Sequence, residues 1–249
     1  MYSRTINTDA YGPLYSRIGM LMRQRIMAGI WPSQSQIPTI DALMVEFGAS
    51  RVTVRLALDL LERDGLIERF RGRGTFVTDR AAGIGRIRLG RSWRGLVKAL
   101  EGTKPRLLET LDDVLPPGPE DLEASLAPSY RCLKRIHFMD SLPFAVMYLY
   151  IDRRWYDRAP DRFNRELVIP VLQTLEGLAI GRAHQTLTIG AAEPDVAAYL
   201  QVPIGVPVGM LRRVICDGED IAVYVGDLTY RGDVLRMEVD LDIGEEDRR

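Results

Sequence analysis

The feature that most constrains this chain is a set of three short helical segments followed by a glycine-spaced arginine pair, all within residues 14–78. After Gly12-Pro13, apolar Leu14, Ile18, Leu21, Met22 and Ile26 recur at helical spacing, with Arg17, Arg23, Gln24 and Arg25 at the other positions. Gly29 and Pro32 end that helix. Thr39 can cap a second helix, Ile40 to Phe47, with Asp41 favoured by the dipole of its first turn and Gly48 as its stop. Ser50 can cap a third, Arg51 to Arg63, closing at Asp64-Gly65 and expected to pack through Leu56, Ala57, Leu60 and Leu61. A short helix, a glycine turn and another helix is the helix-turn-helix outline. Two β-rich runs, 66–70 and 75–78, then enclose Arg71-Gly72-Arg73-Gly74, a hairpin with two arginines at its tip.

Charge sharpens this reading only when it is divided along the chain. The net charge of −1 is the sum of a basic N-terminal third and an acidic remainder. Position matters more than the total. Arg51 and Arg55 are i,i+4 neighbours on one face at the start of the third helix. Recognition helices read base edges with their N-terminal residues, and arginine bonds bidentately to guanine. At the hairpin tip, glycine permits close backbone approach and arginine neutralises phosphate.

The stretches LYSRIGMLMRQRIMAGIWP and IPTIDALMVEFGASRVTVRLALDLLERDGLIERFRGRGTFV resemble the winged helix-turn-helix domain of the GntR family of bacterial transcription regulators. The resemblance implies double-stranded operator DNA as a partner. It places Thr39, Ser50, Arg51, Thr53 and Arg55 at the helix starts that meet DNA, and Arg71, Gly72 and Arg73 on the wing. The family carries a Leu-Pro-Ser-Glu-Arg run before its second helix, where this chain reads Ile37-Pro38-Thr39-Ile40-Asp41. The family's arginine contact is therefore expected to be absent or replaced, because Asp41 would repel phosphate.

Residues 79–91 read as a linker leading into a strand, and Ser92 can cap a short helix through about Leu100. Beyond lie strand-like runs punctuated by Pro and Gly: a hairpin of 131–138 with 144–151, and late strands at 206–216, 221–230 and 234–241. Helices are expected at 164–175 and 193–200. The fold class is α+β: a winged helix-turn-helix domain over 1–78, the linker over 79–91, and a C-terminal α+β domain over 92–249. The last resembles the UTRA domain of the HutC subfamily, similar in fold to chorismate lyase, most clearly at Tyr230-Arg231-Gly232-Asp233-Val234-Leu235-Arg236-Met237-Glu238-Val239.

That resemblance implies a pocket for a small effector, a phosphorylated sugar or an organic acid. Carried over one by one, Ser92 and Trp93 fall at a helix start that meets an anionic group. Arg135 is the first of two hairpin-strand arginines, but the second position is His137. The glutamate expected four residues after Pro143 is Met147, and an upstream acidic position is Tyr224, ahead of Tyr230 in the Tyr-Arg-Gly-Asp run. The Ser and Tyr often found near residue 168 appear as Val168 and Pro170. With sugar-hydroxyl acceptors replaced by Met, Tyr and aliphatic groups, the expected effector is a small organic acid with an apolar or aromatic body. The competing readings are a lyase-like enzyme on an aromatic carboxylate and a constitutive DNA-binding protein whose second domain only dimerises. Alternatively Arg135 and His137 are ordinary strand residues, although His137 could titrate near neutrality.

Two cysteines, Cys132 and Cys216, exclude a disulfide framework, and two histidines, His137 and His184, disfavour a histidine-rich metal centre. No cofactor is expected. The chain shows no signal-peptide core and no span-length apolar run, so the expectation is a soluble cytoplasmic regulator, a homodimer, with no membrane partner.

Overall fold

Thr39 and Ser50 each close a helix start as their side chains predict. Thr39 Oγ1 accepts from the Ala42 amide at 3.3 Å, and Ser50 Oγ accepts from the Thr53 amide at 3.2 Å. The computed structural model describes residues 13–79, 87–89, 95, 97, 102–118, 124–139 and 141–237. Helices α1 (Leu14–Met27), α2 (Ile40–Phe47) and α3 (Arg51–Arg63) are followed by hairpin β1 (Ile67–Phe70) and β2 (Gly74–Val77). Gly48 ends α2 with φ of 57°, a left-handed turn that suits glycine. α1 crosses α3 closely: a Cβ on Gly19 would sit 3.2 Å from Leu60 Cδ1.

The packing face of α3 differs from the expected one. Val54, Ala57, Leu58 and Leu61 are buried, an i,i+3,i+4,i+7 stripe, whereas Leu56 is 43% exposed and Leu60 half-buried. In α1, Ile18, Met22 and Ile26 are buried as expected, but Leu14 and Leu21 are exposed and Arg23 is buried.

Beyond the wing, β3 (Ile87–Leu89) pairs in parallel with β11 (Leu235–Met237). Between them lie β4 (Thr103–Val114), β5 (Ser125–Leu126), β6 (Tyr130–Met139) and β7 (Leu142–Asp152). Short helices α4 (Arg153–Tyr156), α5 (Pro160–Arg165) and α6 (Val168–Thr174) follow, then β8 (Ile180–Ala191), α7 (Pro194–Leu200), β9 (Pro207–Asp217) and β10 (Ile221–Arg231). The main sheet runs β4-β6-β7-β10-β9-β8, antiparallel throughout, with β5 added in parallel to β10. β4 and β8 are its edges; the sequence reading did not delimit them, because charged residues in β4 and small and polar residues in β8 obscure the alternation. Pro105 is tolerated in β4 because an edge strand need not donate every amide.

One sheet face is covered by α4–α6 through Tyr156, Phe163, Val171 and Leu172; α7 covers part of the other with Ile136, Val146 and Val208. The helix expected over 164–175 is broken between α5 and α6. Pro170 has no N–H to bond the Glu166 carbonyl four residues earlier, so that carbonyl is released from the helix ladder. Cys132 on β6 and Cys216 on β9 are both buried, three strand spacings or about 14 Å apart, too far for a disulfide.

Candidate nucleic-acid interface and effector site

On the outer face of α3, Arg51, Val52, Arg55 and Leu56 are exposed. Ser50 Oγ also meets Thr53 Oγ1 at 2.8 Å, so the Thr53 hydroxyl is tied to the cap. Arg51 is paired with Asp41 of α2, both well exposed. Arg55 has no such pair among the described residues. At the wing, Gly72 and Gly74 have φ of 75° and 105°, a backbone that glycine adopts without strain. The Arg73 guanidinium lies 5.3 Å over the Phe70 ring, and Phe70 meets Phe76 edge-on at 5.8 Å. Gln36 Nε2 donates to the Arg73 carbonyl at 3.3 Å, holding the turn against the segment before α2. Arg71 and Gly72 are exposed at the tip. The result is a surface with capped amide ends, one unpaired and one paired arginine, and a fixed basic loop.

The second site lies on the α4–α6 side of the main sheet. Register puts Arg135, Met147, Leu228 and Leu211 in one row across β6, β7, β10 and β9. One row aside lie Leu133, Leu149, Gly226, Arg213 and Gln185; on the opposite side lie His137, Ala145 and Tyr230. Arg135 is fully buried and donates through Nη1 to the Glu166 carbonyl at 2.8 Å, the acceptor that Pro170 released. Its Nε and Nη2, and both ring nitrogens of His137, are buried without hydrogen-bond partners among the described residues. Burial lowers Arg135 to about 10, and burial next to Arg135 pushes His137 down to about 3. His137 is therefore neutral at physiological pH and does not titrate near neutrality. Its ring meets Phe144 edge-on at 6.2 Å, and Phe144 stacks on Tyr230. Tyr224 is fully buried, with its hydroxyl 2.3 Å from where a Cβ on Gly226 would sit, so glycine makes room for that phenol. Burial raises the Tyr224 and Tyr230 phenols above their ordinary value, with Arg213 pulling both down in part.

A third cluster joins the two units. Arg23 of α1 pairs with Asp64 after α3 and, at 3.2 Å, with Asp233 after β10. Arg231 grips the same Asp233 with two bonds of 2.9 and 2.7 Å and donates to the Leu200 carbonyl at 3.3 Å. Burial would raise Asp233, but the charge and hydrogen bonds of Arg231, helped by Arg23, hold it below the usual carboxylate range.

Residues 14–77 match the family of bacterial regulatory proteins called gntR, and residues 120–236 match the UTRA domain. The chain carries a GntR-type helix-turn-helix domain followed by a UTRA domain. The chain is 26% identical over 236 residues to the HTH-type transcriptional repressor NagR of Bacillus subtilis, covering 92% of this chain and 94% of that one. It is 27% identical over 232 residues to the histidine utilization repressor of Pseudomonas putida, covering 91% of each. The fold is shared with PhnF from Mycobacterium smegmatis, at a TM-score of 0.55 and 23% identity over 90% of this chain and 99% of that one. The matched families and named relatives are regulators, which sets the lyase reading of the second domain aside.

The sequence-derived residues fall into two groups, one on each matched domain. Thr39, Ser50, Arg51, Thr53, Arg55, Arg71, Gly72 and Arg73 lie on the helix starts and wing of one unit. Arg135, His137, Met147, Tyr224 and Tyr230 share one face of the UTRA sheet. Ser92 and Trp93 lie outside the described residues; Gly95 and Val97 of the helix expected to follow are helical. Sequence reasoning missed Arg213, 2% exposed, whose Nε and Nη2 meet Gln185 Oε1 at 3.3 and 3.1 Å. A signal was present. Arg212-Arg213 interrupts an apolar strand, and alternation must send one of the two to each face. Arg23 was likewise read as a filler on a polar face.

Proposed function

We propose that this chain is a ligand-responsive repressor that binds a pseudo-palindromic operator as a homodimer and is released by a small anionic metabolite. The observation that carries it is Arg135, a fully buried guanidinium with Nε and Nη2 unpartnered, on the sheet of a domain coupled to a DNA-binding unit. A buried cation without a counter-charge is costly, and an anion supplies that charge. The DNA-binding unit spans 1–78, the linker 79–91 and the effector unit 92–249.

Arg55, Arg71 and the backbone at Gly72 meet DNA, with Ser50 and Thr53 holding the start of α3 and Thr39 that of α2. Two-fold symmetry in the dimer matches two half-sites. Effector binding favours dimer arrangements that do not span both, and operator is released. Met147, the aromatic His137–Phe144–Tyr230 row and Tyr224 favour an organic acid with an apolar body over a sugar phosphate. Ser92 and Trp93 complete the anion site in this reading. Among the described residues no helix is long and apolar enough to cross a membrane, and a DNA-bound regulator works in the cytoplasm.

The test is fluorescence anisotropy on DNA from the intergenic region beside the gene, with and without organic acids. Release by an acid, lost in Arg135→Gln while operator binding persists, supports the reading. Operator affinity untouched by every acid favours a constitutive DNA-binding protein.

A further inference from the structure

Arg135 is not the only buried cation on the effector face. Arg213 enters from β9, three strands away from β6, and the alternation of β9 and β10 puts it on the same side as Tyr224 and Tyr230. The Tyr224 hydroxyl lies over Gly226, which pairs with Leu149 on β7 and Arg213 on β9, so it sits between the strands that carry Arg135 and Arg213. Neither arginine has a carboxylate partner among the described residues. Asp227, the half-buried acid of neighbouring β10, faces the opposite side and bonds Arg212. Glu166 offers Arg135 only its backbone carbonyl, because its carboxylate is held by Arg162. Gln185 aims Arg213 through a neutral amide oxygen, which orients the charge and does not cancel it.

Among the described residues this face therefore carries two buried positive charges and no negative one. Between them lie apolar Met147 and Leu228 in one row and Leu149 in the next, with the Tyr224 hydroxyl over Gly226. Two separate planar cations across an apolar floor fit two separate planar anions joined by a hydrocarbon body, since guanidinium and carboxylate match through paired N–H bonds. A sugar ring in the same place would set its hydroxyls against Met147 and Leu228.

We infer that the effector is a small dicarboxylic acid with an apolar middle, and that Arg213 is the residue that selects it over monoacids. This rests on the effector reading above and deepens it. Arg135 anchors one carboxylate, with neutral His137 beside it able to donate or accept. Arg213 anchors the other, and the Tyr224 hydroxyl donates between them.

The experiment is calorimetry and thermal shift on the full chain. The panel is succinate, glutarate, adipate and phthalate, against butyrate, hexanoate and benzoate, with glucose 6-phosphate and inorganic phosphate. At least one dicarboxylate should bind more tightly than its monoacid counterpart by on the order of 30-fold or more, the size of a buried, hydrogen-bonded charge pair. Arg213→Gln should erase that preference and leave monoacid affinity unchanged; Arg213→Lys should restore part of it. Arg135→Gln should weaken both classes. Operator binding by each variant reports that the chain is folded. Monoacids that bind as tightly as diacids, or a preference that survives Arg213→Gln, overturn the inference and leave the effector reading standing. Tighter binding of glucose 6-phosphate or phosphate than of any diacid also overturns it. A panel in which no acid of either kind binds overturns both.

Discussion

The domain junction and the effector face each bury two arginines, and they treat them in opposite ways. At the junction, Arg23 and Arg231 are both 4% exposed and share Asp233, with Asp64 completing the set. On the sheet, Arg135 and Arg213 are as deeply buried and meet neutral oxygens, the Glu166 carbonyl for one and the Gln185 amide and Tyr230 hydroxyl for the other. The same residue type at the same depth is self-neutralised in one place and left charged in the other. A self-neutralised cluster holds structure; an uncompensated one is a site for something that arrives from outside. The outer face of α3 repeats the contrast at the surface, where Arg51 is paired with Asp41 and Arg55 has no ion pair among the described residues.

Breaking the junction should produce the largest effect. Asp233→Ala leaves Arg231 without its bidentate partner and takes one of two from Arg23, and should lower unfolding free energy by about 3–5 kcal/mol in urea denaturation. Arg135→Met removes an uncompensated charge and should cost under about 1 kcal/mol or be stabilising, because a buried ion replaced by a packed apolar group is often neutral or better. Equal losses in the two variants would erase the distinction. The junction also has a direction in pH. Asp233 is held below its ordinary value when folded, so its contribution is present above the unfolded carboxylate range and is lost as pH falls through the folded value.

Arg55→Ala should come next, weakening operator binding by about 1–3 kcal/mol and relaxing base preference at one position if the side chain reads a base edge. Anisotropy on operator and on single-base variants reads both quantities. An unchanged affinity would remove α3 from the recognition role.

His137 gives a third contrast, within the sheet itself. Its folded value of about 3 lies below the ordinary 6.5, so between those values the unfolded chain binds the extra proton. Stability should therefore fall as pH drops from 6.5 toward 3, by roughly 1.5 kcal/mol between pH 6.5 and 5 from this group alone. Denaturation at the two pH values should show that loss in the wild type and not in His137→Gln. A difference of zero would mean that the ring is solvated or paired.

How far the sequence carried depends on where each residue's partners lie. The bounds of α2 and α3 were legible because Thr39, Gly48, Ser50 and Asp64-Gly65 act within one turn of chain. The wing was legible to within one residue for the same reason, since Gly72 and Gly74 fix its turn locally. The packing stripe of α3 was off, because α3 packs on α1, α2 and β1 and nothing in α3 alone says that Val54 and Leu58 are the apolar residues buried there. Pro170 was legible as a departure, but its consequence, a free Glu166 carbonyl for Arg135, joins residues 31 apart in sequence. Arg23 and Arg213 were missed because burial of a charged side chain is decided by distant neighbours: Asp233 for one, Gln185 and Tyr230 for the other.

The smallest expected effect bears on Asp41, the residue that departs from the family's run before α2. Its carboxylate was expected to repel phosphate, and in the structure it is held by Arg51. An exposed pair of this kind contributes up to about 1 kcal/mol at most and is screened by salt. Binding DNA through Arg51 therefore requires that the pair open, and the cost of opening is subtracted from the contact. Arg51→Ala should then weaken operator binding by less than Arg55→Ala, although both lie on one helical face. Asp41→Ala should strengthen binding by up to about fivefold at low salt and steepen the salt dependence by about one phosphate contact. In the Asp41→Ala background, Arg51→Ala should regain the full cost of a base or phosphate contact. If Arg51→Ala costs as much with Asp41 present as without it, the pair does not restrain the arginine, and the departure at Asp41 has no bearing on how this chain reads its operator.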